Sequence, residues 1–170
     1  MDTVYILRGA AVAVAAAASV TDLKTRKIPN KLTFSAMILG LVFNLLFGGL
    51  KGLGASAFGI LMGFAGFLLF AIGALKAGDI KLYMAIGALT GWRFCADTMI
   101  YSILAGGIAA FICMLTRKSG RTALGNLKIY AVNLFLTRRF YMYQPQETSS
   151  YFSFGCCILA GVIIAFGKNL

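Results

Sequence analysis

Residues 53–75 read LGASAFGILMGFAGFLLFAIGAL and carry no charged side chain. A helix needs about 20 mostly apolar residues to cross the hydrocarbon core of a bilayer, so this stretch is long enough to span a membrane. The whole chain agrees, because 60% of its residues are hydrophobic and only 12% are charged. A soluble domain is about 45–50% apolar and about 25% charged. The sequence therefore predicts an integral membrane protein.

Five further apolar stretches flank this one, at residues 4–20, 32–50, 80–92, 96–115 and 152–166. Backbone hydrogen bonds must be satisfied within the membrane, which favours helices. We therefore expect an all-α fold, a polytopic membrane helix bundle of about six transmembrane helices in a single domain over residues 1–170. The first stretch also resembles a signal peptide that ends near Ser19, but no exported domain follows it, so we expect a span.

The basic residues predict an orientation for these spans. The net charge is +11, from 16 Lys and Arg against five acids, and cytoplasmic loops are enriched in Lys and Arg. With residues 21–31 on the cytoplasmic side, only Arg8, Lys51, Arg93 and Lys168 lie outside and the other twelve lie inside. Both termini are then outside. Basic loops beside an anionic leaflet account for the charge, and we expect no nucleic-acid partner.

Residues 117–150 have a different character from the spans. Apolar side chains recur there at helical spacing, at Leu124, Leu127, Ala131, Leu134 and Phe135. This spacing is typical of an amphipathic helix that lies in the membrane interface. We expect such a helix on the cytoplasmic side, with a plain loop as the alternative.

The sequence does not predict a metal site. It has no His, and its four cysteines, Cys95, Cys113, Cys156 and Cys157, form no CxxC pair. A structural zinc site needs about four Cys or His ligands at close spacing, so we interpret the cysteines as small apolar side chains within helices. We expect neither a metal nor a cofactor.

Two of the five acids, Asp22 and Asp79, lie at junctions between an apolar stretch and the predicted cytoplasmic side. Both carboxylates are then at one membrane depth, where ionisable groups face the protein interior or a wet cavity. Two carboxylates that approach closely cannot both ionise easily. The ionised one can activate a water and the protonated one can donate to the developing oxyanion. The alternative is an ion pair, of Asp22 with a nearby basic residue or of Asp79 with Lys76 or Lys81.

Both acids lie within short motifs. After Asp22, a basic stretch leads to Ile28-Pro29-Asn30, and the second motif reads Lys76-Ala77-Gly78-Asp79-Ile80-Lys81. A third segment, Tyr151-Phe152-Ser153-Phe154-Gly155, leads into the last apolar stretch. The glycine before Asp79 allows close approach of another backbone to this acid.

These motifs resemble the signatures of the type IV prepilin peptidase family, in the short form associated with tight-adherence pili or preflagellin processing. The second motif is similar to the GxGD signature, with Lys76 at the first glycine, where its charge could lower the pKa of Asp79. The third segment is similar to a closing PFG-like segment, with Ser153 in place of proline. The resemblance covers nearly the whole chain in order.

The resemblance implies a membrane aspartic endopeptidase with Asp22 and Asp79 as catalytic residues. It implies motif support from Ile28, Pro29, Asn30, Lys76, Ala77, Gly78 and Lys81. The implied substrate is a prepilin-like membrane protein, cut between its short basic leader and its hydrophobic helix at the cytoplasmic face of the inner membrane. Longer family members carry an insert with paired CxxC motifs and methylate the new N-terminus; this sequence has no such insert, so we expect no methylation.

Other classes of function remain open from the sequence. Carboxylates within a membrane also serve ion coupling, so a non-enzymatic transporter or a pilus-assembly subunit is the alternative. A presenilin-type protease also uses GxGD, but it is larger and lacks the Pro-Asn pair. A Ser-Lys peptidase, with Ser56 near Lys51, is possible from the residues present, although no spacing supports it.

Overall fold

Helices make up nearly all of the structure. The computed structural model describes residues 2–71, 75–116 and 153–168, and no strand occurs among them. In chain order the helices are α1 (Asp2–Thr25), α2 (Asn30–Phe64), α3 (Phe67–Ala71), α4 (Ala77–Thr90), α5 (Trp92–Thr116) and α6 (Gly155–Lys168). The predicted all-α class is confirmed for this part of the chain.

Within the described residues, three helical stretches are long and apolar enough to cross a membrane. They are Val4–Thr25 with 22 residues, Asn30–Ala71 with 42 residues and Trp92–Cys113 with 22 residues. Gly155–Lys168 is apolar but shorter, and α4 has 14 residues. Membrane-spanning helices are therefore supported, whereas the predicted count of about six is not established. The predicted amphipathic helix at 117–150 lies outside the described residues.

The longest stretch does not run straight, because the chain reverses at Gly49. Gly49 has φ 59° and ψ −148° within α2, a conformation that favours glycine. Asn44 Nδ2 and Ser56 Oγ both donate to the carbonyl oxygen of Ala88, at 3.1 and 2.7 Å. In a straight helix, residues 44 and 56 would be about 18 Å apart along the axis. Residues 30–48 and 50–64 are therefore two arms, and Gly49 lies just before the predicted break between residues 50 and 53.

Helix α4 lies against both arms. Most of its side chains are buried, and Leu82, Tyr83 and Ile86 have no exposed surface. Its backbone touches the arms directly, since a Cβ atom built on Gly59 would lie 2.0 Å from the Gly87 carbonyl oxygen. Small residues allow helices to approach this closely within a membrane. Gly63 packs in the same way, since a Cβ atom built on it would lie 2.5 Å from the backbone nitrogen of Met84.

Helices α1 and α6 and residues 92–106 of α5 complete the first of two compact units. This unit contains the described residues up to Gly106 together with residues 153–168, and the second is described only over residues 107–116 of α5. On α1, Ala11, Ala15 and Ala18 are fully buried. Gly161 of α6 packs against the backbone of Ser102 in α5, and Lys168 forms an ion pair with Asp97 at 3.6 Å.

Candidate active site

Asp22 lies in the last turn of α1 and is almost completely buried, with 3% of its surface exposed. Its Oδ2 atom accepts hydrogen bonds from the Ser153 hydroxyl and from the backbone N–H of Gly155, the latter at 3.1 Å. Gly155 is the first residue of α6, where N–H groups have no partner inside the helix. The start of α6 therefore supplies one donor to Asp22 and the residue two positions earlier supplies another.

Asp79 lies in the first turn of α4 and is 2% exposed. Its Oδ2 atom accepts the backbone N–H of Lys76 at 3.0 Å, as an acidic side chain at this position of a helix commonly does. Asp79 lies outside the three candidate spans. Burial raises the pKa of Asp79, and the charge of Asp22 raises the pKa further, whereas the hydrogen bond and the charge of Lys76 lower it. The net pKa is raised, and the two carboxylates are close enough to interact electrostatically.

The two predicted motifs contact each other at two points. A Cβ atom built on Gly78 would lie 3.4 Å from the Cβ of Ile28, which is ordinary van der Waals contact. Lys81 Nζ donates to Asn30 Oδ1 at 2.9 Å and also lies 5.8 Å from the centre of the Phe34 ring. Residues about 50 positions apart in sequence are thus paired side by side, and this pairing joins the segment after Asp22 to the segment around Asp79.

The remaining predicted motif residues begin helices. Pro29 is the residue before α2, with extended ψ of 130°, and Lys76 is the residue before α4, with ψ of 156°. Ala77 is the first residue of α4. Proline and extended backbone are suited to a helix start. Lys76 lowers the pKa of Asp79, as predicted, although burial has the larger and opposite effect.

The described contacts bear on the alternatives left open by the sequence. Lys81 donates to Asn30, so its hydrogen bond goes to the other motif and not to Asp79. Ser56 has no exposed surface and its hydroxyl donates to the Ala88 carbonyl oxygen. Ser56 is therefore a packing residue between α2 and α4, which argues against the Ser-Lys alternative.

Ser153 and Gly155 are the site residues whose role the sequence reasoning missed. Ser153 stands where the similar closing segment has proline, and its hydroxyl donates to Asp22. The two residues are 131 positions apart in the sequence, so no local signal indicated this hydrogen bond. One turn before Asp22 on α1, Ser19 Oγ donates to Cys156 Sγ at 3.2 Å.

Within the described residues, no group of three or more His, Cys, Asp or Glu side chains is placed to hold a metal ion.

Comparison with known sequences assigns the chain to a family. The sequence model of the type IV leader peptidase family matches residues 10–111, a segment that includes Asp22, Asp79 and both motifs. The chain belongs to the type IV leader peptidase family.

Curated relatives agree with the family match. The chain is 33% identical over 108 residues to a prepilin leader peptidase/N-methyltransferase of Pectobacterium carotovorum subsp. carotovorum, an alignment that covers 59% of this chain and 38% of the relative. It is 33% identical over 110 residues to the protein of the same description from Escherichia coli (strain K12), covering 59% and 48%. The chain thus matches less than half the length of these relatives. No solved structure shows significant similarity to it.

Proposed function

We propose that this chain is an aspartic endopeptidase of the inner membrane, which removes the short basic leader from a prepilin-like substrate at the cytoplasmic boundary of the bilayer. The observation that carries the proposal is the pair of buried carboxylates. Asp22 and Asp79 come from two motifs that contact each other, and the charge of Asp22 contributes to the raised pKa of Asp79. Family membership and the names of the relatives support the same activity.

In the proposed reaction, one carboxylate is ionised and the other holds a proton. The ionised group accepts a proton from water, and the water oxygen attacks the carbonyl carbon of the scissile peptide bond. The protonated group donates to the carbonyl oxygen as charge develops there. A raised pKa suits this second task, since the carboxyl must remain protonated near neutral pH. Burial shifts the pKa of Asp79 upward, which is the direction that this task needs.

The proposed substrate fits a site at the cytoplasmic boundary of the bilayer. A prepilin-like protein has a basic leader outside the hydrocarbon and an apolar helix within it. The candidate spans allow a helix of that kind to lie beside the protein in the membrane. We propose peptidase activity alone, without N-methylation, because the sequence lacks the CxxC-bearing insert of the longer family members.

Replacement of each acid tests the proposal. Asp22→Asn and Asp79→Asn should each lower the rate of leader removal from a co-expressed prepilin by at least about 100-fold, as expected for loss of a general acid or base. Both variants should accumulate in the membrane at the normal amount. The readout is the change in prepilin mobility on a gel, with membrane fractions quantified in parallel.

Asp97→Asn is the matched control, because Asp97 is also an acid on a helix but pairs with Lys168. We expect normal processing by this variant. Full processing by either Asp22→Asn or Asp79→Asn would exclude the dyad. Loss of another membrane function with unchanged prepilin length would support a transporter or assembly subunit instead.

A further inference from the structure

We infer that Tyr83 and Ser102 are positioning residues for Asp79, because the hydrogen bond between them fixes how far α4 is turned about its own axis. Neither residue belongs to the two motifs that contain the acids. The inference rests on the proposed function and deepens it, since it names side chains outside those motifs on which the reaction depends. Both residues act through the position of Asp79 and not on the peptide bond itself.

The hydrogen bond between Tyr83 and Ser102 is buried and joins two helices. Tyr83 lies on α4 and Ser102 on α5, and neither has exposed surface. The Tyr83 hydroxyl bonds to Ser102 Oγ. Ser102 Oγ directs its own proton to the carbonyl oxygens of Thr98 and Met99, at 2.7 and 3.0 Å. Since a hydroxyl has one proton to donate, Tyr83 is the donor to Ser102.

Helix α5 contacts Tyr83 at a second point. The thiol of Cys95, which has no exposed surface, donates to the Tyr83 carbonyl oxygen at 3.4 Å. Cys95 and Ser102 are seven positions apart, which is about two helical turns, so they share one face of α5. Helix α5 therefore holds Tyr83 both at its backbone and at the end of its side chain. Two points of contact restrain the direction of the residue, whereas one would allow it to pivot.

The restraint on Tyr83 reaches Asp79 along α4. The two residues are four positions apart, so their side chains are neighbours on the same side of the helix. Side-chain atoms lie about 5–6 Å from a helix axis, so a rotation of α4 by about 10° would move the Asp79 carboxyl group by about 1 Å. A misplacement of about 1 Å can lower the rate of an enzyme about 100-fold.

Other contacts of α4 restrain its distance more than its rotation. Gly59 and Gly63 of α2 meet the backbone of α4. Glycine allows this close approach, but it has no side chain to interlock with the neighbouring helix. The bond between Lys81 and Asn30 is exposed, where water competes for both partners. A buried, satisfied polar contact specifies one arrangement of its helices, and Tyr83 makes such a contact.

A double-mutant cycle tests the role of the Tyr83–Ser102 bond. The purified full chain in lipid nanodiscs cleaves a synthetic prepilin peptide, and kcat and KM are measured for Tyr83→Phe, Ser102→Ala and the double variant. We expect kcat to fall about tenfold in all three, with KM within about twofold of the parent value. Because both single changes break the same bond, the double variant should be no slower than either.

Thermal unfolding of the same variants separates positioning from stability. Ser102→Ala leaves the Tyr83 hydroxyl buried without its acceptor, which is destabilising, and its melting temperature should fall by about 5 °C. The double variant removes both polar groups and should melt near the parent protein, yet its kcat should remain low. A kcat that recovers together with the melting temperature overturns the inference, as does a parental kcat in Tyr83→Phe. If Ser102→Ala does not fold, Tyr83→Phe and the double variant decide the question.

Thr98→Val is the matched control. Thr98 is fully buried on α5 between Cys95 and Ser102, and in the part of the chain that the structure describes its Oγ1 atom has no hydrogen-bond partner. The change should leave kcat unaltered. A loss as large as that of Tyr83→Phe would show that any change in this region slows cleavage, and would overturn the inference. Failure of the proposed function looks different, because Asp79→Asn would then cleave as fast as the parent protein.

Discussion

The first and last turns of α4 are held in place by different kinds of contact. At the first turn, Asp79 bonds to the backbone of Lys76 and Lys81 bonds to the side chain of Asn30. At the other end, backbone meets backbone, since Gly59 touches Gly87 and Gly40 touches Ala88. Side-chain contacts at the first end can be changed one at a time, whereas backbone contacts at the second leave no room for any added atom.

Because the two ends of α4 are held by different contacts, we expect substitutions at one end to affect activity and substitutions at the other end to affect stability. Glycine contacts at the second end fix the distance between α4 and both arms of α2, because helices packed at backbone distance cannot relax around a larger residue. The first end can then carry buried polar groups that contribute little to folding. We expect substitutions at the second end to unfold the protein and substitutions at the first end to slow cleavage.

The largest effect should follow from Gly59→Ala. Its Cβ atom would lie 2.0 Å from the Gly87 carbonyl oxygen and 2.5 Å from the Gly87 carbonyl carbon, so the two helices must separate. Overpacking of this kind costs about 3 kcal/mol, and the melting temperature should fall by roughly 10 °C. Thermal unfolding in nanodiscs measures the change.

Gly54→Ala is the matched control for this prediction, because it lies in the same arm and nothing would lie within 4 Å of its new Cβ atom. It should melt within about 2 °C of the parent protein. Equal melting temperatures for the two variants would contradict close packing at Gly59.

A moderate effect, on activity more than on stability, is expected for Lys81→Met. The change keeps the apolar stem of the side chain but removes the hydrogen bond to Asn30 and the contact with the Phe34 ring. The two motifs lose one of their two contacts, and the rate of leader cleavage should fall about tenfold, equivalent to the loss of about one hydrogen bond. Steady-state kinetics on a prepilin peptide gives the rate.

Lys51→Met is the control, since Lys51 is an exposed lysine near the reversal of α2. It should cleave at the parent rate. A drop in melting temperature of Lys81→Met as large as that of Gly59→Ala would show that the first end of α4 also fixes the fold, and would remove the contrast between the two ends.

The smallest effect on stability is expected for Gly78→Ala. Its Cβ atom would lie 3.4–3.7 Å from three atoms of Ile28, which is ordinary contact distance, so the added methyl group fits. The melting temperature should stay within about 2 °C of that of the parent protein, as for a substitution without strain. A large loss of stability, measured by the same thermal unfolding, would show that the glycine of this motif is required for packing.

The sequence predicted the all-α fold class better than the arrangement of the helices. Apolar stretches and the absence of charge predict helices in a membrane, and the stretches at 4–20 and 96–115 correspond closely to α1 and α5. Hydrophobicity does not report how a short helix such as α4 is covered by its neighbours. For this reason the count of about six spans remains a prediction, as do the cytoplasmic side of the site and the position of both termini.

Contacts between residues that are far apart in the sequence were harder to predict than the helices. The motifs made Asp22 and Asp79 the candidate pair, because acids are rare in this chain and each lies at the edge of an apolar stretch. Nothing in the spacing indicated that Lys81 would meet Asn30, or that Ser153 would meet Asp22. Such pairs depend on how helices pack in three dimensions, and packing of glycine-rich helices is weakly specified by a single sequence.

The reversal at Gly49 bears on the order in which the chain enters the membrane during synthesis. With 14 residues, α4 is about 21 Å long, which is less than the roughly 30 Å of a bilayer core. A segment so short is poorly retained by lipid alone. Both arms of α2 leave the ribosome before α4, so the two arms that pack against α4 are already synthesised when this segment emerges. The reversal at one glycine thereby gives this short helix two apolar arms to pack against.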